Sequence, residues 1–315
     1  MRQPAKLILI AVAAVGLSEC AGSPNSPSQR SPTGVAFKVA TWNIRSGMGI
    51  RGFTTTSWSH ETTNCTDQSK PVNAWAVGLP QAQLERLAAD PAIVAVAFQE
   101  AWNCASPAAI NAILGFKSAS RENEGVALLA RYGLAGPIKY ERIDAASNRW
   151  LTGGDVCVDP MCARTMTMFA THLGGNTDDD LPPEAGRVLD LLRTQRRPHL
   201  FMGDLNTYRV DQWNPSVPCT NRDSGGRTAV IDQIEQAGYT DAWKATQSGE
   251  GWTGMASRHG CGVPKGNLYK RIDYVYALRA RVLSTTRFGR AAPGADSPSE
   301  HAGLIAEIEL SLIHI

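Results

Sequence analysis

A chain of 315 residues, 43% of them hydrophobic and 19% charged, has the composition of a globular rather than a disordered protein. Its formal net charge of +2 excludes a broad basic surface, so electrostatic contacts with an anionic substrate must be local.

Residues 1–20 predict an export signal. Met1 to Lys6 are basic, and Leu7 to Leu17 form an apolar run that is too short to span a bilayer comfortably. The segment Leu17-Ser18-Glu19-Cys20 resembles a bacterial lipoprotein cleavage site at which Cys20 would be acylated, although the residue before that cysteine is normally small. Two alternatives stay open, a lipid anchor at Cys20 and secretion with cleavage nearby. Both predict a protein that is secreted or anchored on the extracytoplasmic side of a bacterial membrane.

Residues 21–34, rich in Ser and Pro, predict a flexible tether because they have little apolar surface to bury. The domain that follows, residues 35–315, shows no internal repeat and no second linker, which favours one α+β domain. Runs of β-branched and aromatic residues predict strands at residues 36–42, 93–98, 126–130, 165–170, 199–202, 272–276 and 304–310. Apolar residues at helical spacing predict helices over residues 80–89 and 184–196.

The cysteine count supports export. The chain has seven cysteines, and setting Cys20 aside leaves an even number that predicts three disulfides in an oxidising compartment. Cys157 and Cys162 flank the Asp159-Pro160 turn, which favours their pairing with each other. The remaining expected pairs are Cys65–Cys104 and Cys219–Cys261. Metal ligation by these thiols is the competing interpretation, and the lack of zinc-type spacing disfavours it.

Six polar segments share one position, next to the end of a short apolar run. They are Thr41–Ile44, Phe98–Glu100, Thr171–Leu173, Phe201–Asn206, Arg271–Tyr274 and Ser299–His301. Any one of them alone is typical of a turn or a helix cap. Together they supply carboxylates, amides and imidazoles at strand ends, and such side chains can converge in one cleft.

Taken in this order, the six segments resemble the endonuclease/exonuclease/phosphatase family, the deoxyribonuclease I-like metal-dependent phosphoesterases. The resemblance runs from about Phe37 to the C-terminus and is sharpest in the segments Gly203–Asn206 and Ser299–His301. It implies an α+β fold, a four-layer sandwich of two mixed β-sheets flanked by helices, with the cleft across the upper edge of the sheets.

The resemblance also implies a divalent cation held by Asn43, Glu100 and Glu300. The expected ion is Mg²⁺, with Mn²⁺ or Ca²⁺ as alternatives, because hard cations prefer carboxylate and amide oxygens. The family usually has Asp at the position of Glu300, so this chain keeps the charge on a side chain that is longer by one methylene.

Two histidines are implied to act, each oriented by a carboxylate that fixes its tautomer and raises its basicity. Asp273 would pair with His301. For His172 the candidate partner is Glu124.

Asp204 would activate or position the attacking water, and Asn206 would donate a hydrogen bond to a phosphate oxygen. Because the two lie two residues apart, an extended segment would direct both side chains to the same face; a turn at this point is the alternative. The resemblance implies Arg149 as the phosphate-binding arginine, because it lies upstream of His172 about where the family carries one, and Arg164 is the alternative. A guanidinium can hold two phosphate oxygens.

These residues predict an exported, divalent-metal-dependent phosphoesterase that hydrolyses phosphodiester bonds, with a nuclease as the first choice. Hydrolysis of a phospholipid such as sphingomyelin, or of an inositol phosphate, is the alternative, because one set of catalytic residues can serve many substrates. A non-catalytic surface binding module is the alternative of another class, and the presence of every required residue type disfavours it. We expect nucleic acid rather than phospholipid as the partner, and a monomer.

Overall fold

Two mixed β-sheets of six strands each form the centre of this computed structural model. The structure describes residues 34–47, 78–120, 125–144, 149–174, 180–212, 214, 225–255, 268–290 and 297–311. In chain order the strands are β1 (Gly34–Asn43), β2 (Ile93–Gln99), β3 (Ser118–Ala119), β4 (Val126–Ala130), β5 (Lys139–Asp144), β6 (Arg149–Cys157), β7 (Thr165–His172), β8 (His199–Asp204), β9 (Thr240–Asp241), β10 (Gly254–Met255), β11 (Leu268–Lys270), β12 (Asp273–Leu278), β13 (Arg281–Phe288) and β14 (Gly303–Ser311). The α-helices are α1 (Leu79–Ala89), α2 (Pro107–Leu114), α3 (Leu181–Arg193), α4 (Gly225–Gln236) and α5 (Ala242–Thr246).

The strand order is β13-β14-β1-β2-β4-β3 in one sheet and β5-β6-β7-β8-β12-β9 in the other, while β10 and β11 form a separate pair. β1 and β2 are parallel to each other, as are β7 and β8. β14 runs antiparallel to β1, and β12 runs antiparallel to β8. The ends of β7 and β8 and the start of β12 therefore lie at the same edge of the second sheet.

The two sheets pack face to face over a shared hydrophobic core that includes Val39 and Ala97 of the first sheet and Met168 and Leu200 of the second. Helices α1 and α2 cover the outer face of the first sheet, and α3 and α4 cover the outer face of the second. The side-chain alternation of a strand allows each sheet to supply both an inner and an outer core. The predicted four-layer sandwich is confirmed.

Every strand predicted from the sequence is present, and the two predicted helices are α1 and α3. Helix α3 begins at Leu181, earlier than predicted, because Pro182 and Pro183 fit a first helical turn, where no backbone N–H is needed for a helical hydrogen bond.

Among the strands longer than three residues, the pattern missed β5, β6 and β13. β5 and β13 are edge strands with few buried side chains, so they carry little of the apolar signal on which strand prediction depends. β6 is largely buried, but Gly153, Gly154 and Asp155 interrupt its apolar run.

Strand register places three site residues side by side. His172 at the end of β7 is paired with Asp204 at the end of β8, and Asp204 is paired with Asp273 at the start of β12. Gly203 permits this close approach, since its φ is +155° and a Cβ at this position would lie 1.9 Å from the carbonyl oxygen of Thr171. A larger residue would push β8 away from β7.

A disulfide joins Cys157 to Cys162, as predicted. The loop between them is held by Asp159, whose side chain accepts hydrogen bonds from backbone N–H groups of this loop, including that of Arg164. Cys104 is also disulfide-bonded, to a cysteine outside the described residues.

The pairs Cys65–Cys104 and Cys219–Cys261 stay predictions, because Cys65, Cys219 and Cys261 lie outside the described residues. The export signal and Cys20 also lie outside them. Among the helices in the described part of the chain, none has the length and hydropathy needed to cross a membrane.

Candidate active site

Asp204 is the centre of the site. Its Oδ2 accepts a hydrogen bond from Asn43 Nδ2 at 3.0 Å, and its Oδ1 accepts one from the backbone N–H of Asn206 at 2.9 Å. The Nε2 atoms of His172 and His301 lie 3.6 and 3.7 Å from Oδ2. Asn43 belongs to the first sheet and Asp204 to the second, so the site spans both sheets at one edge. Residues predicted from four separate segments therefore converge on one buried carboxylate.

His301 forms a hydrogen-bonded pair with Asp273, as predicted. Its Nδ1 donates to Asp273 Oδ2 at 2.9 Å, which leaves Nε2 directed towards Asp204. Burial lowers the pKa of His301, but the carboxylates of Asp273 and Asp204 raise it more, to about 10. The imidazole is therefore protonated near neutral pH and can donate from Nε2.

Thr253 holds both members of this pair, and no sequence pattern pointed to it. Its Oγ1 accepts hydrogen bonds from the backbone N–H groups of Ile272 and Asp273 at 3.2 and 3.1 Å. Its carbonyl oxygen accepts a hydrogen bond from Ala302, next to His301, at 2.8 Å. A buried threonine in a short loop has no pattern that separates it from any other, so only the folded chain identifies it as a positioning residue.

His172 has a different environment. Nη1 of Arg149 lies 3.2 Å from His172 Nδ1, and a guanidinium only donates, so this contact requires Nδ1 to accept. Burial lowers the pKa of His172 to about 3, with Arg149 and His301 acting in the same direction and Asp204 opposing them. The ring is therefore neutral. Its predicted partner, Glu124, lies outside the described residues.

Asn206 follows β8 in a turn rather than in an extended segment. Its φ is +49°, and its backbone N–H binds the side chain of Asp204 two residues earlier. The turn that the sequence also allowed is present, and it does not prevent Asp204 and Asn206 from serving one site. Asn206 still joins the site, since its Nδ2 lies 3.0 Å from the carbonyl oxygen of Leu173 and 3.2 Å from Nε2 of His172.

Asn43 and Glu100 lie together beside Asp204. Nδ2 of Asn43 is 3.1 Å from Glu100 Oε1, and Oδ1 of Asn43 accepts a hydrogen bond from the backbone N–H of Arg45 at 3.0 Å. The buried guanidinium of Arg45 forms an ion pair with Glu300, with 3.0 Å between Nη1 and Oε2. Burial raises the pKa of Glu100, and the negative charges of Glu300 and Asp204 raise it further.

Solved structures of known proteins share this architecture. The endonuclease/exonuclease/phosphatase from Beutenbergia cavernae DSM 12333 is 17% identical, with a TM-score of 0.59 over 88% of this chain and 72% of that one. A protein of the same family from Bacteroides thetaiotaomicron is 14% identical, with a TM-score of 0.59 over 89% and 99%. TDP2 from D. rerio, complexed with a single-strand DNA product, is 12% identical, with a TM-score of 0.55 over 87% and 98%. No family model and no curated protein sequence matches the chain.

The chain has the endonuclease/exonuclease/phosphatase fold. At these sequence identities the likeness establishes the fold alone, and the roles of the site residues rest on the geometry of this chain.

The endonuclease/exonuclease/phosphatase fold implies a divalent cation, and the residues present fit one. The negative charge of Glu300 is close enough to raise the pKa of Glu100, and Glu300 is itself paired with Arg45. A hard cation prefers carboxylate and amide oxygens, and Glu100 and Glu300 supply the carboxylates. Asn43 directs its Nδ2 to Glu100 and its Oδ1 to the backbone N–H of Arg45, so its amide group would have to rotate to offer oxygen to the ion. Such an ion would remove the repulsion that raises the pKa of Glu100.

A second group of potential ligands consists of Asp204, Asp273 and His301, with one donor atom from each within 4.8 Å of the others. We favour the Asn43 and Glu100 side for the ion. Nδ1 of His301 is bound to Asp273, so only its Nε2 could reach an ion, whereas Glu100 and Glu300 offer carboxylate oxygens.

Arg164, the alternative phosphate-binding residue, lies at the wrong end of the second sheet for this site. It precedes β7, and His172 ends that strand, so about 26 Å separates them at the usual rise of a strand. Arg164 instead lines a cavity with Arg197 and Leu310. Arg149, at the start of β6, is the arginine that reaches the site.

Proposed function

We propose that this chain is an exported, divalent-metal-dependent phosphoesterase that hydrolyses phosphodiester bonds and prefers nucleic acid. The observation that carries the proposal is the arrangement around Asp204: one carboxylate within 3.7 Å of Asn43, His172 and His301, with His301 paired to Asp273. Phosphodiester hydrolysis requires a water made nucleophilic and donors for the phosphate oxygens, and this set supplies both.

Asp204 is placed to accept a hydrogen bond from the attacking water and then its proton. Its orientation is fixed from two sides, by Asn43 at Oδ2 and by Asn206 at Oδ1, so little reorganisation is needed during the reaction. His301, charged through Asp273, donates from Nε2 to a non-bridging phosphate oxygen and offsets its charge. The side chain of Asn206 donates to the same phosphate.

Arg149 adds a second positive charge on the opposite side of Asp204. Its Nη1 contacts His172, which leaves the other terminal nitrogen of the guanidinium for a phosphate oxygen. Asn43, Glu100 and Glu300 would hold the divalent cation. When bound, that ion stabilises negative charge on the phosphate oxygens.

Nucleic acid is the proposed substrate on two grounds. One structure with the same fold, D. rerio TDP2, is named as a complex with a single-strand DNA product. Among the described residues, Met161 is the exposed large hydrophobic side chain, and it lies in the Cys157–Cys162 loop, at the opposite edge from Asp204. Near the site, the described residues Trp102 and Trp252 are half-buried, so this part of the site edge offers less exposed apolar surface than a membrane-inserting site requires.

The test is turnover by the purified mature protein of plasmid DNA, RNA, sphingomyelin and inositol phosphates with Mg²⁺, Mn²⁺ or Ca²⁺. We expect nucleic acid to be cleaved with a divalent ion and to stay intact with a chelator. Faster turnover of sphingomyelin or an inositol phosphate would replace the substrate proposal. Binding of nucleic acid without turnover under every condition would identify a binding module instead.

The metal residues are tested by titration calorimetry with Mg²⁺ alone. Glu100→Gln is expected to weaken binding about 10- to 100-fold, and higher Mg²⁺ should restore part of its turnover. Asp190→Asn, on the exposed face of α3, is the matched control and should bind like the wild type. Equal affinity of the Glu100→Gln variant and the wild type would remove Glu100 from the metal site.

Export and anchoring rest on the N-terminal sequence. If Cys20 carries a lipid, Cys20→Ser should release the protein from the membrane fraction or block its processing. A mature N-terminus beyond Cys20 would favour secretion. We propose a monomer, which size-exclusion chromatography with light scattering tests.

A further inference from the structure

Three cations surround one side of the His301 segment and take no part in the proposed chemistry. We call Lys270, Arg287 and Arg290 the β13 rim. β13 pairs with β14 in antiparallel register, with Phe288 opposite Gly303, so the end of β13 lies at the same edge as His301. Arg287 is the second-last residue of β13, at this edge, and Arg290 lies two residues after the end of the strand.

Lys270 lies in a row with His301. Gly254 is paired with Lys270 on β11 and forms a β-bridge with His301 on its other side. Paired residues in antiparallel strands lie about 5 Å apart, so the Cα of Lys270 is about 10 Å from that of His301.

Arg290 also lies near the His301 segment, just after the end of β13 in the first sheet. The residue before it, Gly289, packs on Trp42, because a Cβ at Gly289 would lie 3.6 Å from the indole. Nε1 of Trp42 donates a hydrogen bond to the carbonyl oxygen of His301 at 3.1 Å. Arg290 follows Gly289 directly, so its backbone lies near the His301 segment, and its side chain is exposed.

Arg287 lies between these two residues. Its Nη1 donates to the carbonyl oxygen of Trp252 at 2.8 Å, and its guanidinium carbon lies 5.3 Å from the ring of Trp243.

Arg287 and Arg290 line one cavity together, and Arg86 and Asp90 lie on its α1 side. Burial lowers the pKa of Arg287, the positive charge of Arg290 lowers it further, and Glu250 opposes them. Three arginines and two acids therefore form a local excess of positive charge on a chain whose net charge is only +2.

A strand of nucleic acid matches this arrangement because it carries phosphates on both sides of the bond that is cleaved. A phospholipid headgroup or an inositol phosphate, held at Asp204, has no polymer backbone that continues over Lys270 and Arg290. Phosphate contacts of this kind fix the register of a strand without reading its sequence.

We propose that the β13 rim binds backbone phosphates of a nucleic-acid strand adjacent to the cleaved bond. This inference rests on the proposed function and adds to it a binding subsite for a polymer. It predicts a preference for oligonucleotides over small phosphodiesters that have no flanking phosphates.

The test compares two variants that each replace one lysine and two arginines by glutamine. The rim variant carries Lys270→Gln, Arg287→Gln and Arg290→Gln. The control variant carries Lys139→Gln, Arg279→Gln and Arg281→Gln, at the starts of β5 and β13, the opposite edge from the site. The side chains of all three control residues are exposed. Both variants lose the same charge, so a difference in binding between them indicates a local site rather than a general electrostatic effect.

Binding of a labelled single-stranded oligonucleotide is measured by fluorescence anisotropy between 50 and 200 mM salt, with Asp204→Asn added to every protein to prevent cleavage. Each phosphate contact contributes about 0.7 to the salt slope of a single strand, so loss of three should reduce the slope by about 2. Over this salt range the affinity of the protein with an intact rim should then fall about 20-fold more than that of the rim variant. The control variant should keep the slope of the intact rim.

Turnover of bis(p-nitrophenyl) phosphate, measured without the Asp204→Asn change, should be the same in the rim variant and the wild type within about two-fold. An unchanged salt slope in the rim variant, with the small substrate still cleaved, overturns the inference and leaves the proposed function intact. Failure of the wild type to cleave any phosphodiester overturns the proposed function instead.

If the rim variant loses turnover of the small substrate, Arg290→Gln alone decides, since this side chain is exposed. A slope reduced by about 0.7 supports the β13 rim, and an unchanged slope overturns it. Weaker binding of the rim variant to phosphatidylglycerol vesicles, with unchanged binding to the oligonucleotide, would assign the cations to a membrane surface and overturn the inference.

Discussion

His172 and His301 lie at nearly the same distance from one oxygen of Asp204, 3.6 and 3.7 Å, yet they hold opposite charge states. The pKa of His301 is raised to about 10 and that of His172 is lowered to about 3. Both rings are buried and both face the same carboxylate, so the difference comes from the group at Nδ1: Asp273 for His301 and Arg149 for His172. The second neighbour of each ring decides whether it is an imidazolium or a neutral imidazole.

The strand order of the second sheet supplies these unlike neighbours. β12 runs antiparallel to β8 and brings Asp273 to one side of Asp204. β6 runs antiparallel to β7 and brings its first residue, Arg149, to the side of His172. One edge of one sheet therefore holds a cationic donor and a neutral ring on either side of the reacting carboxylate. Four predictions test or sharpen this contrast, from the largest expected effect to the smallest.

Removing the shared carboxylate or the charged ring is expected to have the largest effect. Asp204→Asn or His301→Ala should reduce kcat on a phosphodiester by at least about 10²-fold, the lower range for loss of a general acid or base. The double variant should cost much less than the sum of the two, because both residues serve one step. Circular dichroism checks folding, and near-wild-type turnover in either single variant would remove that residue from the mechanism.

Asp273→Asn should lower the pKa of His301, so that its ring becomes neutral like that of His172. The folded pKa of His301, about 10, lies above its ordinary value of 6.5, so the pair stabilises the fold below pH 6.5 and this contribution is lost as pH rises through about 10. In the variant the alkaline limb of the kcat/KM profile should move to lower pH, with about a 10- to 100-fold loss at pH 8. Asp155→Asn, in the middle of β6, is the control. An alkaline limb that does not move would show that Asp273 does not set the charge of His301.

Arg149→Met should shift the pKa of His172 towards that of His301. Loss of the cation removes one cause of the lowered pKa, although burial continues to lower it, so the pKa of His172 measured by NMR should rise only in part. Turnover should fall about 10-fold through the lost contact to phosphate. Arg164→Met, at the other end of β7, should change neither quantity. Equal effects of the two variants would mean that Arg149 acts only through net charge.

A third histidine, His199, should affect stability and not turnover. It is buried at the start of β8, its Nε2 lies 2.6 Å from the hydroxyl of Tyr239, and burial lowers its pKa. A lowered folded pKa means that this contribution is present above pH 6.5 and is lost as pH falls below it. Tyr239→Phe should lower the free energy of unfolding by about 1 kcal/mol at pH 7.5 in urea, with kcat unchanged. A fall in kcat would connect this pair to the site.

Much of the site could be predicted from the sequence because its side chains have distinctive chemistry at recognisable positions. Asp204, Asp273 and His301 each lie beside a predicted strand, and the structure brings them together. The α+β class followed from the predicted strands and helices, the four-layer sandwich from the family resemblance, and the Cys157–Cys162 disulfide from a short local turn. These features depend on residues that are close together in the chain. Alternation of apolar and polar residues predicts the strands, and turn-forming residues predict the turn.

The remaining features depend on which strands become neighbours. Thr253 holds Asp273 and His301 through backbone groups, and Arg45 holds Glu300, which is far away along the chain. The sequence named Arg149 as a phosphate ligand, and only the pairing of β6 with β7 placed it against His172.

The sequence by itself determined the composition of the site: the carboxylates, amides and imidazoles, and the strand ends that carry them. The tertiary structure alone decided the charge of each histidine, since a pKa depends on burial and on charges within a few ångströms. Those charges come from strands that are distant in the chain. Local patterns fix where a strand begins and ends, while long-range strand pairing fixes which side chains share a dielectric environment and a hydrogen bond.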